Sequence, residues 1–333
     1  MPTLGIGEAQ KLVFDALLRS RTNESNARSV ARALVAAEAD GLKGHGLSRV
    51  PSYSAQARVG KVDGMARPKC ERLRNSVIRI DAAHGFAYPA IEMAEAELPA
   101  IVCEAGIAAA GICNSHHCGA AGHPVERLAL RGLIAMLFAN TPAAIAPWGG
   151  SIALYGTNPI AFAVPLLDES PPIVIDLSLS KVARGNILSA KQKGERIPAD
   201  WALDAQGRPT TDPDAALAGT MVPIAEAKGT ALALMVELLA AGLTGSNFAA
   251  EASSFLDADG PPPSTGQLLV VLDPSAFGAN GRQRFATLAS AIEAQSGVRV
   301  PGRRRMALRN RAERDGFAVS DALLTQIQSI QPL

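Results

Sequence analysis

Three of the five histidines fall in one short stretch, Gly111-Ile-Cys-Asn-Ser-His-His-Cys-Gly-Ala-Ala-Gly-His123. Ahead of it, Ile107 to Ala110 is an apolar run of strand type. Behind it, Pro124 to Leu130 has the apolar spacing of a helix. Imidazoles, a thiol and small residues therefore crowd one strand-to-helix turn. In open α/β sheets ligands bind at such turns, outside the carboxyl ends of the strands. His116, His117, Cys118 and His123 are metal-ligand types, with Cys113 nearby. Yet adjacent strand side chains point to opposite faces, and neither a C-x2-C pair nor an H-E-x-x-H helix is present, so no metal site is expected. The turn Cys118-Gly-Ala-Ala-Gly122 is small enough for backbone to meet a phosphate at the following helix N-terminus. A tight structural turn suits the same residues equally well. No G-x-G-x-x-G follows any strand, so an ordinary Rossmann fingerprint is absent.

A second constellation is His45 and Arg49, four residues apart at the start of an expected helix, where both can face one cleft. Histidine titrates in the range useful for proton transfer, and a guanidinium grips a carboxylate bidentately. A loop histidine and a solvated arginine are the competing reading of that pair. Gly44 and Gly46 bracket His45, which would let backbone approach a ligand closely.

The elements that must position these groups follow from periodicity. Gly7 to Arg19 and the stretch from Thr22 through Ala39 read as helices, the second stopped by Asp40-Gly41, and a third begins near Leu47 or Ser48. Val77 to Asp81, Ile107 to Cys113 and Leu133 to Ala139 read as strands. Ala87 to Glu104 and Pro124 to Leu130 read as helices between them, a rhythm that implies parallel strand pairs. Ala143 to Gly156 is a Pro- and Gly-rich loop. Pro159 to Pro165 and Ile173 to Asp176 are expected strands joined by Leu166-Leu-Asp-Glu-Ser-Pro-Pro172. Lys228 to Gly242 is the most apolar helix, expected to be buried on most sides. Gln267 to Leu272 is a further strand and Arg282 to Gln295 a further helix. The tail from Arg304 is helical and amphipathic.

The 333 residues are 48% hydrophobic with a net charge of +1, and acids and bases are interspersed, which argues against nucleic-acid and membrane-surface partners. Four irregularly spaced cysteines do not form a disulfide framework. Met1 to Gln10 lacks the pattern of a signal peptide, and a cytoplasmic location is expected.

Several blocks, in this order, resemble the type-2 malate/L-lactate/sulfolactate dehydrogenases. That family also holds ureidoglycolate dehydrogenase, diketogulonate reductase and the Δ1-piperideine-2-carboxylate/Δ1-pyrroline-2-carboxylate reductases. The blocks are Asp40-Gly-Leu-Lys-Gly-His-Gly-Leu-Ser-Arg49, Asn114-Ser-His-His-Cys-Gly-Ala-Ala-Gly122, Ala146-Pro-Trp-Gly-Gly150, Gly156-Thr-Asn-Pro-Ile-Ala-Phe162, Asp176-Leu-Ser178, Gly207 to Pro213, Lys228-Gly229 and Val300-Pro-Gly-Arg-Arg304. The resemblance implies an NAD(P)-dependent oxidoreductase on a non-Rossmann α/β fold, with a mixed sheet, flanking helices and an N-terminal helical part. The expected divisions are residues 1–75 (substrate and dimer region), 76–300 (NAD(P)-binding domain) and 301–333 (helices returning to the N-terminal region). It implies a homodimer, NAD or NADP as cofactor and a small carboxylate substrate.

Carried over residue by residue, His45 and His117 become the catalytic histidines, with His45 favoured as acid/base. Arg49 holds the substrate carboxylate and Thr157 touches the substrate or nicotinamide end. His117, Cys118, Gly119, Ala120, Ala121, Asp176, Leu177, Ser178, Lys228, Pro301, Gly302, Arg303 and Arg304 line the cofactor. Two positions depart from the pattern that the resemblance supplies: Gly44 stands where many members of the family have Ser, and Asn186 about where the imine-reducing members have Asp. A Ser–His–Asp relay is thus incomplete. The expected reaction is hydride transfer between nicotinamide and a 2-oxo or 2-hydroxy acid of malate, lactate or sulfolactate type. The alternative is reduction of a cyclic ketimine to proline or pipecolate. Outside this class stand a cofactor-binding sensor without turnover and a metal-dependent hydrolase.

Overall fold

The computed structural model describes residues 1–167 and 170–332, so Asp168 and Glu169 of the expected 166–172 connection lie outside the described residues. In chain order the elements are β1 (Thr3–Leu4), α1 (Ile6–Leu18), α2 (Glu24–Ala39), two 3₁₀ turns (Lys43–His45 and Leu47–Arg49) and α3 (Val50–Val59). Then come β2 (Lys69–Arg74), β3 (Val77–Asp81), α4 (Ala87–Ala105), β4 (Ile107–Ser115), α5 (Gly122–Leu130), β5 (Ile134–Ala139), β6 (Ile160–Val164) and β7 (Ile173–Leu177). A small lobe carries α6 (Arg184–Lys193), β8 (Ala202–Leu203), α7 (Pro213–Ala218) and β9 (Thr220–Met221). α8 (Ala227–Val236) runs into a π-helical stretch (Glu237–Gly242), followed by β10 (Thr265–Leu272), α9 (Gly281–Glu293), α10 (Arg303–Asp315), β11 (Phe317–Ala318) and α11 (Asp321–Gln328).

The central sheet has seven strands in the order β2-β3-β4-β10-β5-β6-β7. It is mixed, as the family resemblance implies. The βαβα rhythm yields one parallel neighbour pair, β3 with β4; every other pairing is antiparallel. The reason is β10. The crossover through α5 leaves β4 and β5 pointing the same way with a gap between them, and β10 enters that gap antiparallel to both, Leu269 opposite Ala110 on one side and Leu137 on the other. β2 is a strand without a sequence signal: all six residues of Lys-Cys-Glu-Arg-Leu-Arg are exposed.

α4 and α5 cover one face of the sheet, and Ile80, Ile91, Leu98, Val125, Leu128, Leu137 and Leu269 form the core between them. Burying each such side chain contributes roughly 1.5–3 kcal/mol. The α8–π segment packs on the other face through Ala233, Val236 and Ala240 against Phe138 and Ile160. Contrary to its expected burial on most sides, this segment leaves Leu232, Leu234, Met235, Leu238 and Leu243 exposed, the last at 67%. Its small residues face the sheet while its leucines face outward. A separate core joins α1, α2 and α3 to Val319 and Ile327, and β1 pairs with β11. The C-terminal segment therefore closes against the N-terminal helices. No described helix is long and apolar enough to cross a membrane.

Candidate active site

β4, β5 and β7 run in one direction and β6 and β10 in the other. The residues after β4, β5 and β7 and before β6 and β10 therefore meet at one end of the sheet. The stretch after Ser115, the Thr157 turn and Asp176 all lie there. A broad cleft lined by Cys103, Arg131, Asp273 and Arg282 sits at the opposite end and contains none of the anticipated residues.

The loop bearing His45 is shaped from within the N-terminal helices. Gly41 ends α2 in the left-handed region at φ +77°. The buried Glu38 carboxylate accepts the Leu47 backbone N–H at 2.9 Å. A Cβ on Gly46 would lie 2.2 Å from Glu38 Oε2, so this glycine makes room for a carboxylate and not for a ligand. Gly44 faces open space. Arg49 Nε donates to the Gly44 carbonyl at 2.7 Å, which folds the guanidinium back over the loop. Among the described residues no carboxylate pairs with Arg49.

The turn after β4 separates its three histidines. His116 Nε2 meets Gln56 Oε1 at 2.7 Å, His117 Nδ1 meets the Tyr53 hydroxyl at 2.6 Å, and His123 Nε2 meets Asp40 at 2.9 Å. They diverge to three partners, and among the described residues no three His, Cys, Asp or Glu side chains converge as metal ligands. His117 comes instead to His45: their rings stack 5.2 Å apart and 14° from parallel. Phe255 packs on the His117 ring at 5.3 Å. The structure thus joins His45, Arg49 and His117, brought from two segments far apart in sequence.

Burial, and secondarily the Arg49 charge, pushes the His45 imidazole down to about 4. The same two causes, with His45 and His116 added, hold His117 well below its ordinary value. Both rings are neutral near pH 7. His45 Nδ1 is buried without a hydrogen-bond partner among the described residues. Asn186 is exposed on α6. Burial pushes the Cys118 thiol up to about 12, with Asp176 adding to the shift, so Cys118 is no thiolate nucleophile.

The other anticipated residues gather less tightly. Asp176, near the end of β7, accepts the Gly122 N–H at 2.9 Å and faces Arg305 at 3.1 Å. The N-terminus of α5, where a phosphate is expected, already carries this carboxylate. Arg305 escaped the sequence reading because nothing separates three consecutive arginines; only the helical phase of α10 turns it toward Asp176. Arg303 bonds Glu293 at 3.0 Å and the Pro171 carbonyl, and Arg304 is exposed. Pro301 and Gly302 lie against Val174. Thr157 receives its order from Thr141, whose Oγ1 accepts the Thr157 N–H at 2.9 Å, and its carbonyl accepts from Leu179 N at 2.7 Å. Ser178 contacts Ser180 at 3.2 Å, Leu177 is exposed, and Lys228 is exposed in the first turn of α8. Ala120 and Ala121 are buried in the turn.

Arg309 was also not anticipated. It holds Asp40 with Nε and Nη2 at 2.8 Å and Glu126 at 2.8 and 3.0 Å. With His123 on the same Asp40, α10 ties the end of α2, just ahead of the His45 loop, to α5, just behind the His117 turn.

The family profile described as malate/L-lactate dehydrogenase matches residues 5–328. The chain is 51% identical over 326 residues to (2R)-3-sulfolactate dehydrogenase (NADP(+)) of Chromohalobacter salexigens, covering 98% of this chain and 97% of that protein. It is 39% identical over 333 residues to Δ1-pyrroline-2-carboxylate reductase of Ancylobacter novellus, covering 99% and 97%. The crystal structure of Δ1-piperideine-2-carboxylate reductase from Pseudomonas syringae pvar. tomato superposes with a TM-score of 0.93 at 36% identity, over 99% of this chain and 100% of that one. With the whole chain matched in sequence and in fold, the protein belongs to the malate/L-lactate dehydrogenase family.

Proposed function

We propose that this protein is an NADP(H)-dependent oxidoreductase that interconverts a 2-oxo acid and its 2-hydroxy acid, with the 3-sulfopyruvate/3-sulfolactate pair as the first candidate. The observation that carries the reading is the joining of an unpaired guanidinium, Arg49, to two stacked neutral imidazoles, His45 and His117. The cofactor and the substrate class are those of the relative that is 51% identical over nearly the full chain.

Arg49 is fixed through Nε, which leaves its Nη atoms to grip the substrate carboxylate as a fork. The C2 oxygen then lies toward the histidine pair. Arg49 is the second cause of the low His45 pKa. A substrate carboxylate bound to Arg49 offsets that charge, so His45 gains basicity when substrate is present. His45, having taken a proton from solvent, can then give that proton to the oxygen as C2 receives the hydride and return to neutral imidazole, and take it back in the reverse direction.

The turn from Cys118 to Gly122 fits a dinucleotide. It bears no side chain larger than a thiol, so backbone is free to approach a phosphate there. Arg305, beside Asp176, and the exposed Arg304 on the same helix supply cations suited to an anionic cofactor. The bound nicotinamide supplies or accepts the hydride. Leu177, Ser178, Lys228, Pro301, Gly302 and Arg303 complete the proposed cofactor contacts, and Thr157 the substrate end.

Cyclic ketimine reduction is the second reading, since a relative named for it spans the whole chain. It ranks lower because Gly44 offers no hydroxyl and His45 Nδ1 has no carboxylate partner, so the relay implied for imine reduction lacks both ends. We further propose a homodimer through the exposed leucines of the α8–π segment, an apolar surface that a second copy would cover.

A panel of 3-sulfopyruvate, oxaloacetate, pyruvate and Δ1-pyrroline-2-carboxylate with NADPH or NADH, followed at the nicotinamide absorbance band, tests the reading. Fastest NADPH oxidation with 3-sulfopyruvate is expected. Turnover of the cyclic imine alone would favour the second reading. Cofactor binding without any turnover would overturn both.

A further inference from the structure

The Tyr53 hydroxyl stands between two partners, His117 Nδ1 at 2.6 Å and the Tyr88 hydroxyl at 3.1 Å. All three side chains are buried. Among the described residues the Tyr88 hydroxyl meets no other hydrogen-bond partner. Two orders of donation are possible. If His117 donated from Nδ1 to Tyr53, one of the two hydroxyl protons would point at no acceptor whichever hydroxyl donated to the other. If Tyr88 donates to Tyr53 and Tyr53 to Nδ1, both hydroxyl protons are used. A buried donor left unpaired is costly, so the second order wins.

We propose that Tyr53, backed by Tyr88, locks His117 as the Nε2–H tautomer, which makes His117 a fixed hydrogen-bond donor to the substrate oxygen and leaves proton transfer to His45. This deepens the proposed function and rests on its placement of the two histidines. Charging His117 would put a proton on Nδ1 and reverse both hydroxyls, stranding the Tyr88 proton. His45 has no such hydroxyl chain behind it: its Nδ1 meets no hydrogen-bond partner among the described residues, so nothing fixes its tautomer. The two stacked rings thereby differ: a hydroxyl chain fixes the tautomer of His117, and none fixes that of His45. The same Tyr88 hydroxyl sits beneath Gly119, so the small-residue turn and the tautomer of His117 depend on one side chain.

Tyr53 and Tyr88 are positioning residues, and the test reads the tautomer directly. Protein labelled with ¹⁵N-histidine is examined by long-range ¹H–¹⁵N correlation at pH 7 without ligands, with His117→Gln identifying the resonance. The expected wild-type pattern is a protonated Nε2 and a pyridine-type Nδ1. Tyr53→Phe should convert His117 to exchanging tautomers and lower kcat about tenfold, the loss of one hydrogen bond, with little change in KM. Tyr88→Phe should shift the tautomer balance in the same direction, and it carries the test if Tyr53→Phe does not fold. A protonated Nδ1 in wild type, or unchanged tautomer and kcat in both variants, would overturn the proposal. The tautomer measurement needs no substrate, so the expected pattern in a protein that turns over no 2-oxo acid would sink the functional reading alone.

Discussion

The imidazoles of His45 and His117 lie face to face, ring centroids 5.2 Å apart and 14° from parallel, although 72 positions (117 − 45) separate them in sequence. One comes from a 3₁₀ turn of the N-terminal helical region and the other from the turn that follows β4. Their contact implies different losses on substitution. His45→Ala should lower kcat by about 100-fold or more, the usual contribution of a positioned acid or base, while NADPH still binds. His117→Ala should cost less in kcat. Stopped-flow kinetics and NADPH fluorescence titration separate the two effects. A larger kcat loss in His117→Ala would exchange the roles.

Acid sensitivity follows from the buried imidazoles. His45 is depressed from 6.5 to about 4, mainly by burial. His116 falls to about 3 for the same reason. A base with a depressed folded pKa binds fewer protons folded than unfolded, so stability is complete above about pH 6.5 and falls as pH drops toward 4. Asp40 has the opposite chemistry: its carboxyl is buried but held below 3.8 by Arg309 and His123, so its contribution is lost only as pH falls past that value. Urea midpoints measured from pH 7.5 to 4 should fall most steeply below pH 6.5. A flat profile down to pH 4.5 would show that the rings are not sealed.

Arg309 is the tie between the two histidine-bearing segments. Asp40 has no exposed side-chain surface, while Arg309 retains 26%. Arg309→Met would leave that carboxylate buried with only His123 beside it. A loss of about 3–5 kcal/mol is expected, since removing one partner of a buried pair leaves an uncompensated charge. Chemical denaturation measures it. A loss below 1 kcal/mol would mean that the clasp does not join the two segments.

The α8–π segment carries the dimer proposal. Leu238→Glu, at a position 55% exposed, should leave the monomer fold intact and shift sedimentation from dimer to monomer. An unchanged sedimentation coefficient for that variant would place the contact elsewhere or remove it.

What could be read in the sequence was what depends on near neighbours. The 3.6-residue periodicity of α1, α2 and α5, the alternation in β3 and the apolar run of β5 mark those elements where the structure has them. The Gly-flanked His45 and the His-His-Cys turn stand out by residue type alone. Strand order is a different matter. β10 enters between β4 and β5 from far along the chain, and no local pattern encodes that pairing. β2 shows no apolar alternation because it is an edge strand with every side chain exposed. Tyr53 gives no hint of its role because its partner lies 64 positions away. The outward leucines of α8 were expected inside because hydropathy alone cannot tell a core from an exposed apolar face.

The central claim is that Arg49 grips the substrate carboxylate beside the histidine pair. Steady-state NADPH oxidation by Arg49→Ala across a wide range of 3-sulfopyruvate concentration tests it most directly. Loss of a forked, charge-assisted contact of roughly 3 kcal/mol should raise KM by about 100-fold, and Arg49→Lys should not restore it. A KM for 3-sulfopyruvate equal to that of the unaltered enzyme would contradict the account.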